Sequence, residues 1–428
     1  MPNRRSIEIR CPIYGFIPLD EWEREIISQP AFQRLRRIRQ LAWTDYVYPG
    51  AMHTRFEHSI GVMHMATLLY DGIASRCGEV LREVLGYDDS GVRRYRQIIR
   101  LAALLHDIGH GPFSHAAEEL TPSKETSGKP RAWKHEEYSA WIIRTCFRDV
   151  IENHKANSNY AITADEVAGL IEGGTAAKRA AVWRVLVSGQ LDADRMDYLL
   201  RDSYHAGVEY VRYDWRRIVG TVTVIQDGDT DRLRVGLLES GRHAGESLLI
   251  ARYMMFNQVY FHKTRVILDH HFHEAMRTML PNGHFPPPTT EDGIKEYLRW
   301  DDWLVLGRLA AGEGGEHGEC LRTRNFCRLV KETDEFPDDA AMTEFENAVQ
   351  ALDHLSPVRL EAKKSWYKTG DDDLQIASED GSGDVRALSS LSTIVGTMKE
   401  TRRVRLYVRP EHREKARRLL EKGRGTER

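Results

Sequence analysis

The chain has 428 residues, 41% hydrophobic and 29% charged, and 61 Lys and Arg against 64 Asp and Glu leave a net charge of −3. That balance supports a large soluble core and excludes a polycation that coats nucleic acid. No apolar run nears the ~20 residues that span a bilayer, so no membrane partner is expected.

The five Cys form no CxxC pair, so neither a thiolate zinc site nor a disulfide framework is expected. Residues 1–20 hold no apolar leader, and the expected compartment is the cytoplasm. Residues 20–220 read as mostly helical, with apolar side chains every three or four positions in 57–70, 96–108, 136–151 and 178–202. Gly109, Gly111 and Pro112 stop the helix that reaches 108. Residues 121–134 read as a mobile connection. The β-branched runs 218–226 and 231–239 predict a hairpin around an Asp-Gly-Asp-Thr-Asp turn. Helix resumes over 243–280, and 281–290 is a turn-rich break. Residues 310–319 and 369–385 read as surface loops, 403–408 as a strand and 410–422 as a basic helix. The expected fold is mainly α: a helical core over 1–280, with the hairpin near 218–239, then a helical and small α+β appendage over 281–428.

Histidine is concentrated: His53, His58, His64, His106, His110, His115 and His135 all lie within 53–135. The sharpest segment is LLHDIGHGPFSH, 104–115, where His106 and Asp107 end an apolar helix. Burying both groups unpaired would cost several kcal/mol. A divalent Fe, Mn or Zn ion would satisfy them, and so would a helix cap and a backbone carbonyl. HTRFEHSIGV, 53–62, sets His58 at the start of an amphipathic helix. In LDADRMDYLLRDSYHAG, 191–207, Asp194, Asp197, Tyr198 and Arg201 share one helix face, and Arg195, Tyr198 and Asp202 form an overlapping stripe. The plain reading of such a stripe is a solvated face with ion pairs.

Taken in order, QLAWTDYVYPGAMHTRFEHSIGV, LLHDIGHGPFSH, WKHEEYS, LDADRMDYLLRD and VYFHK resemble the HD-domain deoxynucleoside triphosphate triphosphohydrolases, over roughly residues 8–270. The resemblance implies an HD-domain helical core and metal ligands His58, His106, Asp107 and Asp194, with positions left open for water and a phosphate oxygen. It implies Mg²⁺ bridging substrate phosphates, and His110, His115 and His135 as catalytic histidines. Glu118 stands where the family often has Asp and would orient His115. Arg55, Arg195, Tyr198, Arg252 and Lys263 would hold phosphates. Gln40 and Asp202 would read the 3′-hydroxyl, and Tyr260 would pack on the 2′-carbon; Phe256 stands where a sugar-packing His is found. His53 and His64 read as structural.

The segment 27–41 resembles one that binds an activating nucleotide between subunits, with Gln33 and Arg36 at base-contacting positions. Ser28 replaces an Asp that reads guanine, so a homo-oligomer, dimer or tetramer, gated by a nucleotide other than guanine or by none is expected. The implied reaction converts a dNTP to deoxynucleoside and inorganic triphosphate, and antiviral dNTP depletion is one role it would serve. The same residues fit two other readings: another HD phosphohydrolase, nucleotidase or cyclic-nucleotide phosphodiesterase, or a nucleotide-sensing scaffold. The basic runs 34–40 and 402–428 suit a nucleic-acid partner less well than a solvated face or a nucleotide site.

Overall fold

A computed structural model of the chain describes residues 7–126, 129–173, 181–226, 233–365, 367–380 and 382–424. The fold is mainly α, with small sheets at its edges. No helix among the described residues is long and apolar enough to cross a membrane.

The axis of the core is the helix Arg55–Arg76. The Glu57 carboxylate accepts the Thr54 N–H at 3.3 Å, closing its first turn. Helix Asp89–Leu105, capped by the Asp88 carboxylate on the Gly91 N–H, packs along it, and Ile98–Leu105 is fully internal. An apolar stretch this deep drags the residues after it inside, which is why His106 and Asp107 are buried.

The expected helix over 178–202 is broken. Residues 178–180 lie outside the described segments, and the chain turns at 188–192 because the Asp192 carboxylate accepts both the Gly189 and Arg195 N–H groups. A new helix, Ala193–Ala206, starts there and ends at Gly207, whose φ of 69° is left-handed. The helical stretch 243–280 is two helices, Arg242–Met255 and Lys263–Met279, joined by a π-turn over Phe256–Tyr260.

Three loop expectations are corrected. Residues 121–134 contain a hairpin, Ser123–Thr126 with Lys129–Ala132. Residues 310–319 run into the helix Gly315–Thr323, which begins after Gly314 at φ 90°. Within 369–385, Gln375–Ala377 adds as a parallel strand to Leu233–Leu238. Leu233–Leu238 pairs in turn with Val222–Gln226, so the expected hairpin forms; its turn, 227–232, lies outside the described residues, and 218–221 stay helical. The C-terminal sheet, Arg328–Glu332, Thr401–Val408 and Val358–Lys364, is antiparallel and packs with two helices around its own small core of Phe345, Leu352, Val404, Leu406, Val408 and Ala416.

Residues 285–302 lie against the backbone that follows Asp107. The Tyr297 hydroxyl donates to the Gly109 carbonyl at 2.7 Å. Arg34, fully buried, donates to the carbonyls of His110 and Trp300. Asp302 accepts the Phe113 N–H at 2.7 Å and the Arg39 N–H at 2.8 Å. Phe113 and Ser114 have φ of 58° and 57°, each costing about 1–3 kcal/mol unless its surroundings hold it. Phe113 is held by stacking on Trp43 at 4.1 Å and by the Asp302 carboxylate. Asp302→Asn sets an amide donor against one of the two N–H groups. It is expected to lower stability by about 1–3 kcal/mol and to reduce kcat through misplacement of the 110–115 turn. Urea unfolding and steady-state rates check this; wild-type values in both would show that the clamp is dispensable.

Candidate active site

The structure gathers His58 and Asp194 from two helices and His106 and Asp107 from the turn that follows the helix Asp89–Leu105. His58 Nε2 lies 3.0 Å from Asp194 Oδ1 and 3.4 Å from Asp107 Oδ2; His106 Nε2 lies 3.2 Å from Asp107 Oδ1 and 3.7 Å from Asp194 Oδ1. Both Nε2 atoms are buried without a well-directed hydrogen bond, although carboxylate oxygens crowd them. The opposite ring nitrogens explain the orientation. His106 Nδ1 donates to the Ala103 carbonyl at 2.8 Å, and His58 Nδ1 meets Asp197 Oδ2 at 2.8 Å. Each ring therefore points an Nε2 lone pair at the carboxylates, the arrangement expected of imidazole metal ligands. Two imidazoles and two carboxylates suit a first-row divalent ion, and these four residues fit one.

Asp197 was missed as a functional residue. It is completely buried, bonded bidentately by Arg201 at 2.8 Å for each oxygen, and is no part of a solvated face. Burial alone would raise its carboxyl; the Arg201 guanidinium and His58 outweigh that and hold it down at about 2. A Cβ at Gly61 would sit 1.9 Å from Asp197 Oδ1, so only glycine there lets the carboxylate reach His58.

Burial also opposes ionisation of Asp107, but Arg55 and the flanking imidazoles hold its carboxyl well below the usual range. Arg55 Nη1 contacts Asp107 Oδ2 at 2.5 Å and Arg55 Nε donates to Ser114 Oγ at 2.9 Å, tying the ligand group to the 110–115 turn.

Beside this group His110, His115, Glu118 and His135 form a second cluster. Glu118 Oε1 accepts from His115 Nδ1 at 2.8 Å and from His135 Nδ1 at 2.6 Å. The longer Glu arm thus serves both histidines where one was expected. His110 stacks on His135 with ring centres 3.9 Å apart, and a Cβ at Gly109 would collide with the His135 carbonyl at 2.3 Å. The environments pull the stacked pair apart. Burial, Arg55 and His135 push His110 well below its ordinary range, whereas hydrogen bonding to Glu118 overcomes burial and lifts His135 to about 9. A neutral imidazole lies on a protonated one, the separation that divides base and acid roles.

The pocket wall is basic and aromatic. Arg195 donates to Gln190, and Arg252 sits by Tyr198 and over the Phe256 ring at 5.7 Å. Asp202 accepts from the Tyr260 hydroxyl at 2.6 Å and contacts His53 Nε2 at 2.8 Å. His53 is therefore structural in a specific sense, since it holds Asp202. Gln40 is buried with its Oε1 unpaired. Lys263 begins its helix with an exposed side chain, and among the described contacts none joins its ammonium to this wall. Ser28, Gln33 and Arg36 lie apart on the surface: Ser28 Oγ donates to Arg24, Arg36 donates to Gln33 Oε1 and its guanidinium covers Phe56. The segment 27–41 is a short helix, Pro30–Gln33, and a 3₁₀ turn, Arg34–Arg37, rather than one helix.

A family model described as the HD domain matches residues 55–202, and one described as an HD associated region matches 214–353. An uncharacterized protein of Bacillus subtilis is 31% identical over 331 residues, 74% of this chain and 69% of that protein. The deoxynucleoside triphosphate triphosphohydrolase SAMHD1 homolog of Dictyostelium discoideum is 31% identical over 344 residues, 77% of this chain and 61% of that one. A crystal structure of a hypothetical protein from Aquifex aeolicus superposes with a TM-score of 0.76 at 28% identity, covering 97% of this chain and all of that one. The chain spans about half to two thirds of the length of the curated relatives it matches.

Proposed function

The chain belongs to the HD-domain family, and from that premise we propose that it is a metal-dependent dNTP triphosphohydrolase releasing deoxynucleoside and inorganic triphosphate. The observation that carries this is the pairing of a His58, His106 and Asp194 cluster, with Asp107 against both imidazoles, and a Glu118-bridged histidine cluster beside it. The Dictyostelium relative, a deoxynucleoside triphosphate triphosphohydrolase homolog by name, supports the substrate class.

A divalent ion at His58, His106, Asp107 and Asp194 would supply Lewis acidity and a water of lowered pKa at the α-phosphate. The protein's own part is charge and proton placement. His135 carries its proton at neutral pH and puts positive charge where negative charge builds on the phosphate. His115, its Nδ1 held by Glu118, leaves Nε2 to protonate the departing 5′-oxygen. Neutral His110 fills the gap between them and Asp107. Arg195, Arg252 and Tyr198 hold the phosphates. Tyr260, fixed by Asp202, would close the space beside the 2′-carbon against a hydroxyl.

Nucleotide regulation belongs to the same proposal. Arg34, within the segment that carries Gln33 and Arg36, donates to the His110 carbonyl, so an effector seated on 33–36 has a direct mechanical line to the catalytic turn. The experiment is incubation with each dNTP and NTP, singly and in pairs, with Mn²⁺ or Mg²⁺, and chromatography of the products. Triphosphate plus deoxynucleoside is expected. Orthophosphate or a linear nucleotide would favour a nucleotidase or phosphodiesterase. GTP-dependent activation lost in Arg36→Ala would overturn the expectation drawn from Ser28.

A further inference from the structure

One cation of the pocket wall comes from outside the helical core. Lys364 ends the strand Val358–Lys364, paired with Thr401 across the C-terminal sheet. Its neighbour Lys363 turns outward to Glu400 at 3.0 Å, and Lys331 of the same sheet meets Glu344. Alternation along the strand sends Lys364 the other way. Its ammonium lies 5.0 Å from the centre of the Phe256 ring, which the Arg252 guanidinium also approaches, and its charge is felt with those of Arg252, Arg195 and Glu118. Burial and the two guanidiniums draw the ammonium down to about 8. Among the described ion pairs, none gives Lys364 a carboxylate, and Arg195 has only Asp192 at 3.6 Å. Three cations, Lys364, Arg252 and Arg195, thus share one neighbourhood, a local field that attracts a polyanion.

We propose that Lys364 is a substrate-binding residue that holds the distal phosphates of the triphosphate, so that the C-terminal sheet completes a pocket otherwise built by the helical core. The inference rests on the triphosphohydrolase reading and deepens it. Attack at the α-phosphorus leaves the three phosphates together, so Lys364 would grip the released triphosphate as well as the bound substrate.

The test is isothermal calorimetry of inorganic tripolyphosphate with Mg²⁺, on the full chain and on Lys364→Ala, Lys364→Gln and Lys364→Arg, with melting curves to establish folding. Loss of one charge-assisted contact predicts about 10- to 100-fold weaker binding in the Ala and Gln variants, a matching rise in KM for dNTP, and substantial recovery with Arg. Wild-type affinity in the Ala and Gln variants, beside a clear loss in Arg195→Ala, would overturn the role of Lys364 while leaving the activity standing. A wild-type protein that neither binds tripolyphosphate nor releases it from any dNTP would remove the underlying reading, and this one with it.

Discussion

Asp107→Ala and His106→Ala are expected to abolish turnover and to strip divalent metal from the purified protein, whereas Asp197→Asn should weaken metal binding without destroying the ligand set. Removing a ligand deletes one of four converging donors. Removing Asp197 leaves all four but frees the His58 ring, whose Nδ1 is fixed by that carboxylate at 2.8 Å. Losses of 10–100-fold in metal affinity or activity are usual for such supporting groups. Asp197→Asn also leaves the fully buried Arg201 guanidinium with only the longer ion pair to Glu57 at 3.4 Å, so it should lower stability too. Metal content by plasma emission spectrometry and activity across a Mn²⁺ titration separate the cases. The Asn variant should recover at high metal concentration and the Ala variants should not. Full activity in a metal-free Asp107→Ala protein would refute the assignment.

The grouping of His58, His106, Asp107 and Asp194 came from the family resemblance, because the residues alone left a helix cap and a solvated face open as readings. Two flank capped helix starts, and two end an apolar helix that buries whatever follows it. The helix face carrying Asp194 and Asp197 was legible, but not its partner. Asp197 reads as solvated until Gly61 of another helix is seen to admit it. Glu118 shows a similar limit, since side-chain reach across a turn depends on backbone geometry that a residue type does not encode. The 3₁₀ turn Ser114–Leu120 brings Glu118 under both His115 and His135.

What stayed hidden is tertiary and long-range. Asp302 lies 189 positions from Phe113, and Arg34 lies 266 from Trp300. No periodicity announces such pairings. Gln375–Ala377 is too short for a period-two pattern and exists as a strand because Leu233–Leu238 offers it an edge. Lys364 lies outside every motif of the sequence, and the C-terminal sheet sets it over Phe256. The turn 110–115 is thus cut from one stretch of sequence and held by another.

The second large effect expected is on the pH profile of the histidine cluster. Hydrogen bonding to Glu118 lifts His135 to about 9, so the imidazolium persists through neutral pH and is lost as pH rises through about 9. If its charge stabilises the transition state, kcat/KM should fall above that value. Glu118→Gln removes the strongest partner of the charged ring and leaves burial, which favours the neutral ring, opposed only by the more distant Glu136 and Asp107. The alkaline limb should then move down from about 9. Activity should drop on the alkaline side of the new limb and recover below it, by about tenfold per unit of pH, because each unit of pH above the pKa leaves one tenth of the protonated form. His135→Ala should lose about 10²–10³-fold through neutral pH while retaining metal, since no titration restores a missing cation. The two variants together distinguish a charge effect from a packing effect. A pH-independent loss in Glu118→Gln equal to that of His135→Ala would mean that Glu118 only props the ring in place. An alkaline limb unmoved in Glu118→Gln would show that some other group sets it.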